Sequence, residues 1–154
     1  MMYEGRLPRA FLLTVCQAVR FYGLPQKFET EGKDMDEPKV YAYSGAINSL
    51  AEILGSEGIR SVFVYADRNT YKAAGGRAIE ILEAAGITAK KYIFKAERIE
   101  PNEASVGLAA MSFDPSVDAV LGVGSGVIND ISKIIANNSG KKYIILATAP
   151  SMEG

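Results

Sequence analysis

The sequence predicts an α/β domain with a Rossmann-like parallel sheet that carries helices on both faces. Apolar runs rich in β-branched and aromatic residues recur along the chain at residues 61–66, 92–94, 117–123 and 143–147. Segments in which apolar residues recur at helical spacing lie between these runs. Strands that alternate with helices in this way are typical of parallel sheets.

The first elements of the domain follow from local patterns. Residues 40–43 form a short strand candidate, and the helix after it is predicted to end at Gly55 or Gly58. The apolar face of this helix consists of Ile47, Leu50, Ala51 and Leu54. Residues 61–66 read SVFVYA, a run bounded by charge that indicates a strand buried on both faces.

The later helices are predicted in the same way. The helix after residue 70 closes at Gly86, although Gly75 and Gly76 weaken it. Its apolar positions are Tyr71, Ala74, Ala78, Ile79, Leu82 and Ala85. Residues 104–111 form a helix with Pro101 as a start signal. The apolar stripe of the last predicted helix consists of Val127, Ile128, Ile131, Ile134 and Ile135.

Residues 1–38 are predicted to form an N-terminal helix and a linker, in front of the α/β domain at residues 39–154. Apolar residues recur at helical spacing from residue 7 to residue 22. A helix docked on its own domain is the preferred interpretation. A membrane-surface helix is the weaker alternative, since only Arg9 and Arg20 charge the polar face.

Composition excludes several classes of function. The 154 residues include 17 basic and 18 acidic side chains, so the net charge of -1 favours neither nucleic acid nor an anionic membrane as a partner. The single cysteine, Cys16, excludes an internal disulfide and is consistent with the cytoplasm. Because the chain has no histidine, it cannot by itself build a Ser-His-Asp hydrolase or a histidine-based zinc site.

The segment with the clearest functional pattern reads GVGSGVIND and covers residues 122–130. Glycines at the end of a strand let the backbone approach a ligand, and the free amides of a first helical turn favour an anion such as a pyrophosphate. The spacing G-x-G-x-G differs from the G-x-G-x-x-G of the usual dinucleotide fingerprint. The alternative is a tight turn whose glycines serve only geometry.

Asp67 directly follows the predicted strand at residues 61–66, at the end where ligands of α/β sheets bind. A carboxylate there can accept hydrogen bonds from a ribose and would repel the 2′-phosphate of NADP. The equally natural alternative is an N-cap for a helix that begins near Asn69. In the usual fingerprint the acid follows the glycines, whereas Asp67 precedes them, which argues against an ordinary Rossmann dehydrogenase.

The segment GVGSGVINDISK, followed about 20 residues later by ATAPSMEG, resembles the paired motifs of the glycerol-1-phosphate dehydrogenase family. That family is related to iron-containing alcohol and glycerol dehydrogenases and to dehydroquinate synthases. The segments YADRNTYKAAG and SGAINSLAEIL are similar to it as well. The resemblance spans roughly residues 40–154 and implies a dehydroquinate synthase-like, nucleotide-binding N-terminal domain.

The resemblance also implies a cofactor and site residues. The cofactor is NAD or NADP, and Asp67 meets its adenosine ribose, which favours NAD. The other implied cofactor-binding residues are Gly124, Gly126, Val127, Ile128, Asn129, Asp130, Thr148, Ala149, Pro150 and Ser151. Glu153 stands where the family usually has an aspartate that binds the substrate hydroxyls, a departure that moves the carboxylate by one methylene.

In the family, a following helical domain supplies an aspartate and two histidines as metal ligands, and that domain is not in this sequence. Zinc or nickel is therefore expected only in the full-length enzyme, which would interconvert sn-glycerol 1-phosphate and dihydroxyacetone phosphate. The present chain is expected to bind the dinucleotide, to self-associate and to lack catalytic and metal-binding residues. The alternatives are a glycerol or other polyol dehydrogenase of the same superfamily and a non-catalytic α/β interaction module.

Overall fold

A computed structural model describes residues 18–23, 39–42, 45–124 and 126–148 of the chain. The elements, in chain order, are β1 (Ala18–Gly23), β2 (Lys39–Ala42), a 3-10 helix (Ala46–Ser49), α1 (Leu50–Ser56), β3 (Ser61–Asp67), α2 (Arg68–Thr70), a π-helical segment (Tyr71–Gly75), α3 (Gly76–Ala84), β4 (Thr88–Phe94), α4 (Glu103–Ser112), β5 (Ala119–Gly124), α5 (Gly126–Ser139) and β6 (Lys142–Ala147).

The described strands form a six-stranded sheet in the order β2-β1-β6-β5-β3-β4. Strands β6, β5, β3 and β4 pair with one another in parallel, which confirms the predicted parallel sheet. Strand β1 is antiparallel to both β2 and β6. The chain moves from β3 outward to β4 and then returns to the other side of β3 to form β5. The strand order therefore reverses between β3 and β5, where ligands of open α/β sheets bind.

Helices cover both faces of the sheet, as predicted. On one face, side chains such as Val62, Val64 and Leu121 pack with the 3-10 helix, α1 and α3. On the other face, Phe63 and Tyr65 pack with residues of α4 and α5. Alternate residues of β3 thus belong to opposite cores, and residues 62–66 are all buried, as expected for a central parallel strand.

The helix predicted from residue 7 to residue 22 is wrong at its end, because residues 18–22 belong to strand β1. The other residues of that prediction lie outside the described part of the chain. The sequence AVRFYG is rich in residues that suit strands, and backbone pairing with both β2 and β6 fixes the extended conformation. In residues 18–22, backbone pairing with two strands therefore outweighed the helical spacing of the apolar residues.

Two further predictions, on strand β4 and on helix α5, differ from the structure. Strand β4 begins at Thr88, earlier than the predicted 92–94, because it lies at the sheet edge and its exposed lysines hide the strand pattern. The predicted stripe of α5 is buried at Ile128, Ile131 and Ile135, but Ile134 is 38% exposed. Ser132 is fully buried instead.

None of the helices among the described residues is long and apolar enough to cross a bilayer.

Candidate functional site

The glycine turn between β5 and α5 lies at the carboxyl edge of the sheet, as predicted. Gly124 has φ +150 and Gly126 has φ +44, backbone conformations that side chains disfavour. A Cβ atom at Gly124 would lie 3.1 Å from Cβ of Ile128 and 3.2 Å from Cγ2 of Thr70. At Gly126, by contrast, no described atom would lie within 4 Å of a Cβ. The turn is therefore tight on its inner side and open on its outer side.

Helix α5 starts at this open turn and runs for 14 residues. The first amides of a helix have no carbonyl partner within the helix, and the helix dipole makes this end attractive to anions. Among the predicted contact residues, Ile128 is 2% exposed and belongs to the core. Val127 and Asn129 are half-buried and Asp130 is exposed. Backbone amides, more than these side chains, can meet a phosphate here.

Asn129 is engaged by the neighbouring strand. The Tyr143 hydroxyl lies 3.1 Å from the backbone oxygen of Asn129 and also contacts its side-chain oxygen. These contacts hold the first turn of α5 against β6. The side-chain oxygen of Asn129 is thus committed to the protein and leaves the amide nitrogen for other contacts.

Asp67 caps the helix that follows β3, which confirms the capping alternative, with the helix starting at Arg68. Its Oδ1 accepts a hydrogen bond of 2.8 Å from the Thr70 amide, and the Asp67 amide donates one of 3.0 Å to Thr70 Oγ1. This reciprocal capping box fixes the half-buried carboxylate and leaves Oδ2 for another donor. Contact with a ribose stays a prediction.

Thr70 is a site residue that the sequence analysis missed. Its polar groups cap Asp67, and its methyl group faces Gly124 across the switch point. It thereby connects Asp67 with Gly124, two predicted site residues that are far apart in the sequence. The D-x-x-T pattern at residues 67–70 is typical of a capping box and would have indicated this role of Thr70.

The close contact between β5 and α5 depends on two small residues, Gly122 and Ser132. A Cβ atom at Gly122 would lie 2.8 Å from Oγ of Ser132, which is fully buried. Within the described part of the chain, this hydroxyl has no hydrogen-bond partner. Gly122 therefore lets α5 lie close to the strand whose end forms the turn.

A cavity of about 210 Å³ lies beside Asp67, between the ends of β3 and β4. Its lining residues are Asp67, Arg68, Asn69, Ala96 and Glu97. Ala96 and Glu97 were not predicted, because only the pairing of β3 with β4 brings them beside Asp67.

The remaining predicted residues follow β6. Ala147, the last residue of that strand, pairs with Gly124, so the half-buried Thr148 comes next to the glycine turn. Ala149, Pro150, Ser151 and Glu153 lie outside the described residues. The structure thus brings Asp67, the glycine turn and Thr148 to one edge of the sheet.

The chain does not fit a metal centre of the expected kind. In the described ranges, no group of three or more His, Cys, Asp or Glu side chains could hold a metal ion. The whole sequence contains no histidine. What the site can do chemically is bind a phosphorylated ligand at an amide-rich turn beside a fixed carboxylate.

Comparisons with known proteins agree with this geometry. The family model described as iron-containing alcohol dehydrogenase matches residues 41–154. A glycerol-1-phosphate dehydrogenase [NAD(P)+] of Halalkalibacterium halodurans is 34% identical over 112 residues, which cover 71% of this chain and 28% of the relative. One of Bacillus velezensis is 33% identical over 94 residues, covering 59% and 24%. The chain therefore spans about a quarter of the length of these relatives.

A solved structure shows the same fold. Glycerol dehydrogenase from Schizosaccharomyces pombe superimposes with a TM-score of 0.54 at 19% identity. The match covers 62% of this chain and 24% of that one.

Proposed function

This chain belongs to the iron-containing alcohol dehydrogenase family, and we propose that it is the NAD(P)-binding part of a glycerol-1-phosphate dehydrogenase-like oxidoreductase. The observation that carries the proposal is the open glycine turn at the switch point of a parallel sheet. The names of the relatives at 33% and 34% identity support the choice of enzyme. The proposed nucleotide-binding unit is residues 39–154, and β1 joins its sheet between β2 and β6.

The residues of the turn would hold the dinucleotide by its pyrophosphate. Gly124 and Gly126 keep side chains away from the phosphates, and the first amides of α5 donate to them. The Oδ2 atom of Asp67 accepts from an adenosine ribose hydroxyl. Residues 148–151 would line the cofactor cleft, and Glu153 would contact the substrate hydroxyls. The bound nicotinamide would supply hydride transfer.

The proposal extends to the full-length enzyme. A small polyol phosphate, sn-glycerol 1-phosphate, is its substrate. Zinc or nickel would be held by the helical domain that follows the dinucleotide-binding domain in this family. We place this enzyme in the cytoplasm as a homo-oligomer. The chain by itself binds the cofactor but performs no oxidation.

The binding proposal is tested by titrating the chain with NAD in a calorimeter. Gly126→Val should raise the Kd by about ten- to hundredfold, the equivalent of losing one hydrogen bond to a charged group. Gly140→Val is the matched control, because Gly140 has φ +68 with no described atom within 4 Å of a Cβ and lies at the other end of α5. Equal weakening by both variants, or no NAD binding by the folded parent chain, would contradict the proposal.

The expected lack of activity is tested with chain, NAD and sn-glycerol 1-phosphate, with zinc or nickel added. Absorbance of the reduced nicotinamide should not rise above a blank without protein. Without imidazole ligands, the chain cannot build the metal site that lowers the barrier by several kcal/mol. Turnover that Gly126→Val abolishes would show that this part of the enzyme carries the chemistry itself.

A further inference from the structure

The cavity beside Asp67 is formed by two segments that only the sheet brings together. In the β3–β4 register, Asp67 pairs with Phe94, so Ala96 and Glu97 extend beyond the sheet edge next to Asp67. The small Ala96 side chain leaves the space open. At about 210 Å³, the cavity is smaller than the ~300–1,000 Å³ of pockets that enclose a whole drug-sized ligand. It therefore suits one part of a larger ligand.

The charges that line this cavity are unequal. Two acidic residues, Asp67 and Glu97, and one basic residue, Arg68, line the cavity, so the lining carries a net charge of −1. Neither Arg68 nor Glu97 forms an ion pair with any residue in the described ranges, and both are exposed. Lys95 and Arg98 lie within two residues of Glu97 in sequence, but neither lines the cavity.

Hydrogen bonds position the carboxylate of Asp67, whereas Glu97 is exposed. The capping box with Thr70 fixes the Asp67 carboxylate, which leaves Glu97 and Arg68 as the adjustable charges of the cavity. A ligand group that enters beside Asp67 meets both of them. A phosphate there would face two carboxylates, whereas a hydroxyl could donate a hydrogen bond to either of them.

We propose that Glu97 is a second specificity-determining residue, which acts with Asp67 to favour a dinucleotide with a free 2′-hydroxyl over one with a 2′-phosphate. This inference rests on the proposed function, because it places the adenosine ribose beside Asp67. Arg68 acts in the opposite direction and limits the discrimination. Besides Asp67, the affinity ratio thus depends on one acid that follows β4 and one base that follows β3.

The experiment measures Kd values for NAD and NADP by calorimetry with the full chain and with Glu97→Gln, which removes charge and keeps size. NADP should bind about two- to fivefold more tightly to Glu97→Gln, the range expected for one exposed charge pair. The Kd for NAD should stay within about twofold. Arg68→Gln should weaken the binding of NADP by a similar factor. Glu100→Gln is the matched control, since Glu100 is exposed and does not line the cavity.

Salt gives a second readout. At about 1 M salt, where the Debye length is about 3 Å, the difference between Glu97→Gln and the parent chain should vanish. An unchanged ratio of NADP to NAD affinity in Glu97→Gln, while Gly126→Val still weakens the binding of NAD, would overturn this inference alone. Failure of the folded parent chain to bind either dinucleotide would instead overturn the proposed function and this inference with it.

Discussion

Replacing Gly124 by alanine should destabilise the domain more than the same change elsewhere in the glycine turn. The backbone at Gly124 has φ +150, which side chains rarely adopt, and the new methyl group would meet Ile128 and Thr70. These contacts of 3.1–3.3 Å are shorter than the ~3.5–4.0 Å of optimal carbon contacts. The neighbours must therefore move, and the crevice between β3 and β5 must widen.

The magnitude follows from two separate costs. Holding a non-glycine residue in such a backbone region costs about 1–3 kcal/mol. Overpacking by one methyl group costs about 1–3 kcal/mol, and the lower end applies because shifts of a few tenths of an ångström suffice. We expect Gly124→Ala to lower the free energy of unfolding by about 2–4 kcal/mol, a large part of the ~5–15 kcal/mol typical of a domain. Gly126→Ala has only the backbone cost, about 1–2 kcal/mol for a residue in the left-handed region.

The assay is urea unfolding followed by circular dichroism, with the midpoint compared at constant m-value. Gly55→Ala is the control, because Gly55 lies in α1 with no described atom within 4 Å of a Cβ. A helical glycine replaced by alanine should raise the free energy of unfolding by about 0.5–1 kcal/mol. A Gly124→Ala variant within about 0.5 kcal/mol of the parent chain, or one less destabilised than Gly126→Ala, would refute the argument.

Other changes test the packing around the site. Ser132→Ala should leave the melting temperature unchanged or raise it, since burying a hydroxyl without a partner costs about 1–3 kcal/mol; a clear loss would mean that the hydroxyl has a partner. Tyr65→Phe removes a buried hydrogen bond of 2.7 Å to the Ala109 carbonyl and should cost about 1 kcal/mol in urea unfolding. Burial raises the pKa of Tyr65, so the folded state keeps a proton that the unfolded state loses above about pH 10. The free energy of unfolding should therefore fall as pH rises beyond 10, less steeply in Tyr65→Phe, and equal slopes would contradict this. Asp67→Ala should cost about 1 kcal/mol as a lost cap and raise the affinity for NADP relative to NAD; an unchanged affinity ratio would leave Asp67 as a cap alone.

The sequence by itself determined the fold class and most elements of the domain. Apolar periodicity predicted β3, β5, β6 and the helices between them because each element displays its burial pattern locally. The glycine turn was also predictable, since glycines between an apolar run and a helical stripe are a local signal. The pattern of residues 40–154 indicated the family, and the family model matches residues 41–154.

The tertiary structure alone decided which residues meet. Strand β1 is extended because β2 and β6 pair with it, partners that its own sequence does not reveal. The order β6-β5-β3-β4 brings Thr70 against Gly124 and Glu97 beside Asp67. Periodicity records which face of an element is buried, but strand order depends on backbone hydrogen bonds and packing between remote segments. For that physical reason, the sequence alone indicates individual site residues such as Asp67 and Gly124. Only the assembled sheet determines that Glu97 and Thr70 lie next to them.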